Sequence, residues 1–327
     1  MNSEFIARVA TRTMRCNFRG WSFGEAIALR GLLAASCATG DREPLGYVKA
    51  LLHFYIGRGV AKCPEEHVAP ARELLLLHQL TGESEFLEAA QQLAALYESF
   101  PLNSHGARLH RADLQGWHKQ IWVDCMDIEA PFLARLGSVT GECRYSDQAA
   151  QEISAYARLL QDPVTGLFYH GHEDVCGRNG QPWARGNGWA LMGLVETLSL
   201  LLGEHPLYEE LLNRLKNLCD GLLRCQHQQG LWPTVISDSR TYLESTLAVM
   251  AAYALRTAFR AQLLDEGVYG KMEQKARSAA LELVKDDGSL DLVSEATPVG
   301  EWAMYASRPF GVFPWGQGPL LLMLTQT

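Results

Sequence analysis

The 327-residue chain has no apolar run of transmembrane length, no C-x-x-C pair, no long block of like charge and no series of alternating Val, Ile and Thr. The first absence excludes a membrane span. The eight cysteines, at 16, 37, 63, 125, 143, 176, 219 and 225, are scattered. They form neither a disulfide framework nor a structural zinc signature and suit the reduced thiols of a cytoplasm. Met1 to Gly20 carries Arg8, Arg12, Arg15 and Arg19 but no apolar core ending in a small-residue cleavage site, so it does not read as a secretory signal. A formal net charge of −8, evenly spread, argues against capture of nucleic acid or an anionic membrane. No ligand spacing calls for a metal or an organic cofactor, and none is expected. The missing alternation leaves little evidence for sheet.

What is present is helix. Hydrophobic residues make up 47% of the chain and charged residues 20%, enough to bury a large core, and no break in composition divides it, so one domain over 1–327 is expected. Short glycine-containing junctions recur between helical stretches, at Gly40, Gly82, Gly141, Gly203 and Gly267. Each follows an apolar helix and precedes one with acidic residues near its start, which describes a helical hairpin. Around Gly82, Leu74, Leu75, Leu77 and Leu80 leave hardly any polar face, whereas Phe86, Ala89, Ala90, Leu93 and Tyr97 keep helical spacing with polar residues between them. The first helix is therefore expected inside and the second outside. Pairing the apolar run Pro319 to Leu324 with Ser3 to Arg15 adds a sixth hairpin and closes the chain, predicting an all-α (α/α)6 barrel rather than an open solenoid.

This arrangement also predicts where a site lies. The long connections from each outer helix to the next inner one collect on one face, at the N-termini of the inner helices, where free N–H groups and helix dipoles favour an anion. They include F-R-G-W-S-F (18–23), C-P-E-E-H (63–67), the segment His110 to Asp124, G-L-F-Y-H-G-H (166–172), W-A-R-G-N-G-W (183–189), Y-L-E-S (242–245) and F-P-W-G-Q-G-P (313–319). Tryptophans 21, 117, 122, 183, 189, 232 and 315 fall in or beside them, flat surfaces that either pack against sugar rings or wedge helices apart.

An ordered set of these pieces resembles glycoside hydrolase family 105, the unsaturated rhamnogalacturonyl hydrolases, and more distantly family 88, the unsaturated glucuronyl hydrolases. The pieces are Q-I-W-V-D with A-P-F-L-A-R-L-G (120–137), G-L-F-Y-H (166–170), P-W-A-R-G-N-G-W-A (182–190), Y-L-E-S (242–245) and W-G-Q-G-P-L-L-L (315–322). The resemblance implies release of a 4,5-unsaturated uronic acid from lyase-generated, pectin-type oligosaccharides, by hydration of the C4=C5 bond. It makes Asp124 the catalytic acid/base, which requires a carboxyl kept protonated by partly dry surroundings. Read locally, the same aspartate is a helix cap.

Substrate binding is implied for His170, with His172 as its competitor, and for Arg185 and Trp189, four apart on one helical face. An ion pair bracing a loop is the alternative for Arg185. Glu66 stands nearest to the family's second aspartate, and His110 to the histidine ahead of W-V-D, with His118 and Asp113 as substitutes. Asp127 and Glu129 are expected in a second carboxylate site or a buried network with arginine. Three other readings compete: an inverting glycosidase pairing Asp124 with Glu66, Asp127 or Glu244, an epimerase using His170 and His172, and a helical ring that binds sugar without chemistry.

Overall fold

A computed structural model describes residues 2–18, 22–60 and 68–326; Trp21 and Glu66 fall outside them. The inner helices are α2 (Phe23–Thr39), α4 (Ala71–Thr81), α6 (Cys125–Thr140), α8 (Ala184–Leu200), α10 (Thr246–Arg260) and α13 (Pro314–Leu324). Outside them lie α1 (Ser3–Met14), α3 (Glu43–Gly57), α5 (Ser84–Glu98), α7 (Cys143–Leu160), α9 (Tyr208–Cys225) and α11 (Glu266–Glu282). A short α12 (Trp302–Ala306) sits in the connection before α13. Each inner helix packs on the next, and α13 packs on both α10 and α2 while α1 covers α2 and α13, so the ring is closed. This is the (α/α)6 barrel. Among the described residues no helix is long and apolar enough to cross a membrane.

Burial separates the two layers as the patterning requires. Helix α8 buries nearly its whole circumference, whereas α9 buries Leu211, Leu215, Leu218, Cys219 and Leu222, a single stripe at helical spacing. Gly40, Gly82 and Gly141 end α2, α4 and α6 in the left-handed region, at φ 75°, 76° and 76°, and each donates its N–H to the carbonyl four residues back. The expected junctions at Gly203 and Gly267 do not hold this role. Helix α8 ends on Leu201 in extended conformation, and Gly267 lies inside α11, which Asp265 caps by accepting the Gly267 N–H at 2.8 Å.

Ring closure depends on two glycines. A Cβ on Gly318 would meet the Ile27 carbonyl oxygen at 2.4 Å, and one on Gly31 the Gly318 oxygen at 2.6 Å. Backbone meets backbone there, and neither side can yield cheaply. Gly318→Ala is expected to cost about 1–3 kcal/mol, measured as a lowered urea midpoint; an unchanged midpoint would show that α2 and α13 can separate freely.

Among the described residues, three small antiparallel ladders sit in the connections, where the sequence shows little sign of sheet. β1 (Gln120–Trp122), β2 (Gly171–Glu173) and β3 (Gly177–Arg178) form one, with Trp122 opposite Gly171. β4 (Trp232–Pro233) pairs with β5 (Leu243–Glu244), and β6 (Val293–Ser294) with β7 (Phe310–Gly311).

Candidate active site

The first ladder continues as a hydrogen bond from Val123 N–H to the His170 carbonyl, 2.9 Å, and so brings Asp124 and His170 together. Asp124 occupies the N-cap position of α6 in helical conformation, yet its side chain makes no capping hydrogen bond. The cap reading therefore leaves the carboxylate unexplained. It is instead buried, 6% exposed, with Oδ2 3.2 Å from His170 Nε2. His170 is fully buried and packs its ring on Trp183 at 4.3 Å. On its other side Nδ1 lies 2.7 Å from the Tyr305 hydroxyl.

That hydroxyl oxygen already accepts from Asn179 Nδ2 at 3.0 Å and Gly300 N–H at 3.3 Å. Its proton is thus directed to His170 Nδ1, and the tautomer that accepts it carries its own proton on Nε2, next to Asp124 Oδ2 at 3.2 Å though not in hydrogen-bond alignment with it. Burial holds the His170 pKa below the ordinary imidazole value despite the neighbouring carboxylate, so the ring is neutral at neutral pH. Gly171 makes the arrangement sterically feasible, because a Cβ there would strike the Val299 side chain at 2.6 Å, and residues 297–305 bring both Tyr305 and part of the cleft wall.

Asp124 opens onto a cleft of about 560 Å³, solvent mouth included, lined by Phe23, His110, Trp117, Trp122, Trp183 and Thr297 among others. His110 stacks on Trp122 with ring centroids 4.0 Å apart and planes 15° apart, giving a flat aromatic wall. Of the three positions considered ahead of W-V-D, His110 lines this cleft; His118 is exposed, and Asp113 is exposed and paired with Arg111 at 2.8 Å. A narrower space of about 300 Å³ shares Phe23, Asp124 and Ile128 and is walled by Trp189, Arg72, Glu73 and Asp127.

Arg185 does not line either space. Its guanidinium donates to Glu244 Oε1 at 3.0 Å, Ser294 O at 3.0 Å and Oγ at 2.8 Å, Glu295 O at 2.8 Å and Thr297 Oγ1 at 3.3 Å. At 1% exposure it braces the 294–297 wall. Glu244 is committed to the same bracing. Trp189 borders the narrow space edge-on to Phe23, while Trp232 is core, its indole N–H bound to the Leu222 carbonyl.

The remaining carboxylates belong to two buried networks. Asp127 lies between Arg72 and Arg30, with Oδ2 2.9 and 3.2 Å from them, and the same arginines reach Glu196 at 3.0 and 2.9 Å. Arg135 adds a third contact to Glu196 at 3.0 Å. Glu129 meets Tyr156 at 2.9 Å and, through Tyr97, Glu152. Burial and then Glu129 push the Glu152 carboxyl up to about 7. Asp127 and Glu129 thus sit in networks, with arginine for the first and tyrosine for the second. His172 lies apart from the cleft, so the two-histidine arrangement needed by an epimerase is not assembled there.

Sequence reasoning missed Tyr305, the 296–298 wall and the Arg30–Arg72–Glu196 cluster. The cluster alone carried a signal: isolated charges on helices with no polar face must meet partners inside.

The Glycosyl Hydrolase Family 88 model matches residues 1–327. The unsaturated rhamnogalacturonyl hydrolase YesR of Bacillus subtilis strain 168 is 28% identical over 329 residues, 98% of this chain and 93% of the relative. A structure from Salmonella enterica serovar Paratyphi A, described as a possible member of the GH105 family, superposes with a TM-score of 0.90 at 22% identity, over 100% of this chain and 94% of its own. A family 105 glycoside hydrolase of Clostridium acetobutylicum does so at 0.86 and 22% identity, over 99% and 98%. With the fold, the cleft and a match over its whole length in agreement, the chain belongs to glycosyl hydrolase family 88.

Proposed function

We propose that this glycoside hydrolase removes a 4,5-unsaturated uronic acid from lyase-generated oligosaccharides of the pectin or rhamnogalacturonan type, with Asp124 as acid/base. The observation that carries the reading is a buried carboxylate at a helix start that caps nothing, lies 3.2 Å from the ring nitrogen of a neutral histidine and faces an aromatic cleft. The similarity to YesR supports the substrate class. Asp124 delivers a proton to C4 and then takes one from the water that adds to C5. The C5 hemiketal opens, and the aglycone leaves from C1 with its proton restored.

His170 acts by holding one carboxylate oxygen, and His110, stacked on Trp122, offers a sugar ring a flat face beside the N-termini of α2 and α6. In this reading Arg185 shapes the wall at Thr297, Trp189 closes the inner end, and Glu66 belongs to the sugar-binding set. The free thiols at Cys16, Cys37, Cys125, Cys143, Cys176, Cys219 and Cys225 support work in the cytoplasm. The whole chain acts as one domain.

The test is incubation with lyase-generated unsaturated disaccharides while following loss of the ultraviolet absorbance of the double bond. Unchanged absorbance with every uronyl-rhamnose and glucuronyl substrate would sink the proposal. A two-carboxylate inverting mechanism, by contrast, would also cleave the saturated analogues. The Tyr305 hydrogen bond makes a finer point. Tyr305→Phe frees the His170 tautomer and is expected to lower kcat about fivefold, the equivalent of about 1 kcal/mol, with KM little changed and the thermal midpoint lowered because Asn179 and Gly300 lose the same oxygen. An unaltered kcat would remove Tyr305 from the positioning of Asp124.

A further inference from the structure

Away from the cleft, three ligating side chains meet where the loop after α5 touches the β2–β3 hairpin. His105, His172 and Asp174 each place one ligand atom within 4.8 Å of the other two, and His172 Nε2 is 3.5 Å from Asp174 Oδ1. With zinc–ligand bonds of about 2.1 Å, a tetrahedral site has edges of about 3.4 Å. One edge is therefore already close to the required length, and His105, an exposed side chain, has room to turn and shorten the others.

The cluster is supported from behind. Asn103 Oδ1 accepts the N–H groups of His105 at 3.0 Å and Ala107 at 2.9 Å, which fixes the loop under His105. Its Nδ2 donates to Asp174 Oδ1 at 2.9 Å, and Ser104 N–H donates to Oδ2 at 3.1 Å. Carboxylate ligands of metal ions are oriented by such outer hydrogen bonds. Both ring nitrogens of His172 are buried, and neither has an aligned hydrogen-bond partner among the described residues, an unfavourable state for polar atoms that a ligand would relieve.

We propose that His105, His172 and Asp174 bind a divalent transition-metal ion, zinc by preference. Two imidazoles with one carboxylate suit zinc and disfavour magnesium and calcium, which take oxygen ligands. Three protein ligands leave a fourth position for water. The ion would staple the turn that leads into His110 to the hairpin that follows His170, clamping two connections that feed the cleft.

The test is calorimetric titration of zinc sulfate into the full chain with Cys37, Cys63, Cys143 and Cys176 changed to Ser, so that thiols do not compete. One zinc per chain is expected, with no heat from magnesium. His105→Ala and Asp174→Asn should each weaken binding about tenfold or more. Zinc should raise the thermal midpoint only when the trio is intact. Both substituted side chains are exposed, so neither change threatens the fold. Absence of saturable zinc binding, or equal affinity in the His105→Ala and Asp174→Asn proteins, overturns the site.

Discussion

Asp124→Asn is expected to lower kcat about 10³-fold or more on an unsaturated disaccharide while leaving its affinity nearly unchanged. General acid–base groups contribute about 10²–10⁴-fold, and here one carboxyl serves for both the proton given to C4 and the proton taken from water. The amide has the same outline, and its oxygen can keep the 3.2 Å contact with His170 Nε2. The cleft should therefore keep its shape. Absorbance kinetics give kcat, and calorimetry with the same disaccharide gives affinity. A variant that turned over at near-normal rate would show that Asp124 is not the acid/base. One that lost binding and turnover in parallel would make it a sugar ligand.

The largest loss of stability is expected from Glu196→Ala. Glu196 accepts from Arg30, Arg72 and Arg135 at 2.9, 3.0 and 3.0 Å, and its carboxyl is pulled down to about 2: burial opposes its charge, but the three guanidiniums outweigh that. Removing it leaves buried cations short of a partner, an effect of about 3–5 kcal/mol. Urea denaturation at pH 7 measures it, and a change under about 1 kcal/mol would mean that the cluster relaxes or takes up water.

The pH dependence carries a definite sign. A pKa depressed in the folded state means that the contribution is present above about 4.5 and fades as pH falls toward about 2. A shift of this size corresponds to about 3 kcal/mol. Between those limits the parent should lose this component of its stability, and the Ala variant should not.

The barrel was legible because inner and outer helices differ along their whole length. Leu74, Leu75 and Leu77 on α4 and the stripe from Leu211 to Leu222 on α9 announce their layers without reference to any partner. Gly40, Gly82 and Gly141 announce the ends of α2, α4 and α6. Gly203 and Gly267 misled because glycine also occurs in turns and near helix starts, and Asp265 was the better signal at the latter. At the site, Asp124 and His170 were named from motifs, but their contact comes from a three-residue register between β1 and β2, too short to show an alternating pattern. Tyr305 sits on a helix of five residues at the far end of a long connection. Nothing in its neighbourhood marks it, since its partner is 135 residues away. Arg185 shows the converse, a motif residue whose five hydrogen bonds go to the wall and to the Glu244 that braces it.

The joint between α2 and α13 also bears on the order in which the molecule assembles. These helices are the first and last of the inner ring, so their docking, together with that of α1 on α13, closes the longest loops the chain makes, and that closure entropy is met before the contacts contribute anything. Hairpins from α4 to α11 form from near neighbours and can accumulate early. Until α13 arrives, however, α2 and α10 each show an apolar flank to solvent, and an open ring of this kind is prone to associate with other open rings. Refolding yield should therefore depend on concentration more steeply than the stability of the finished barrel would suggest.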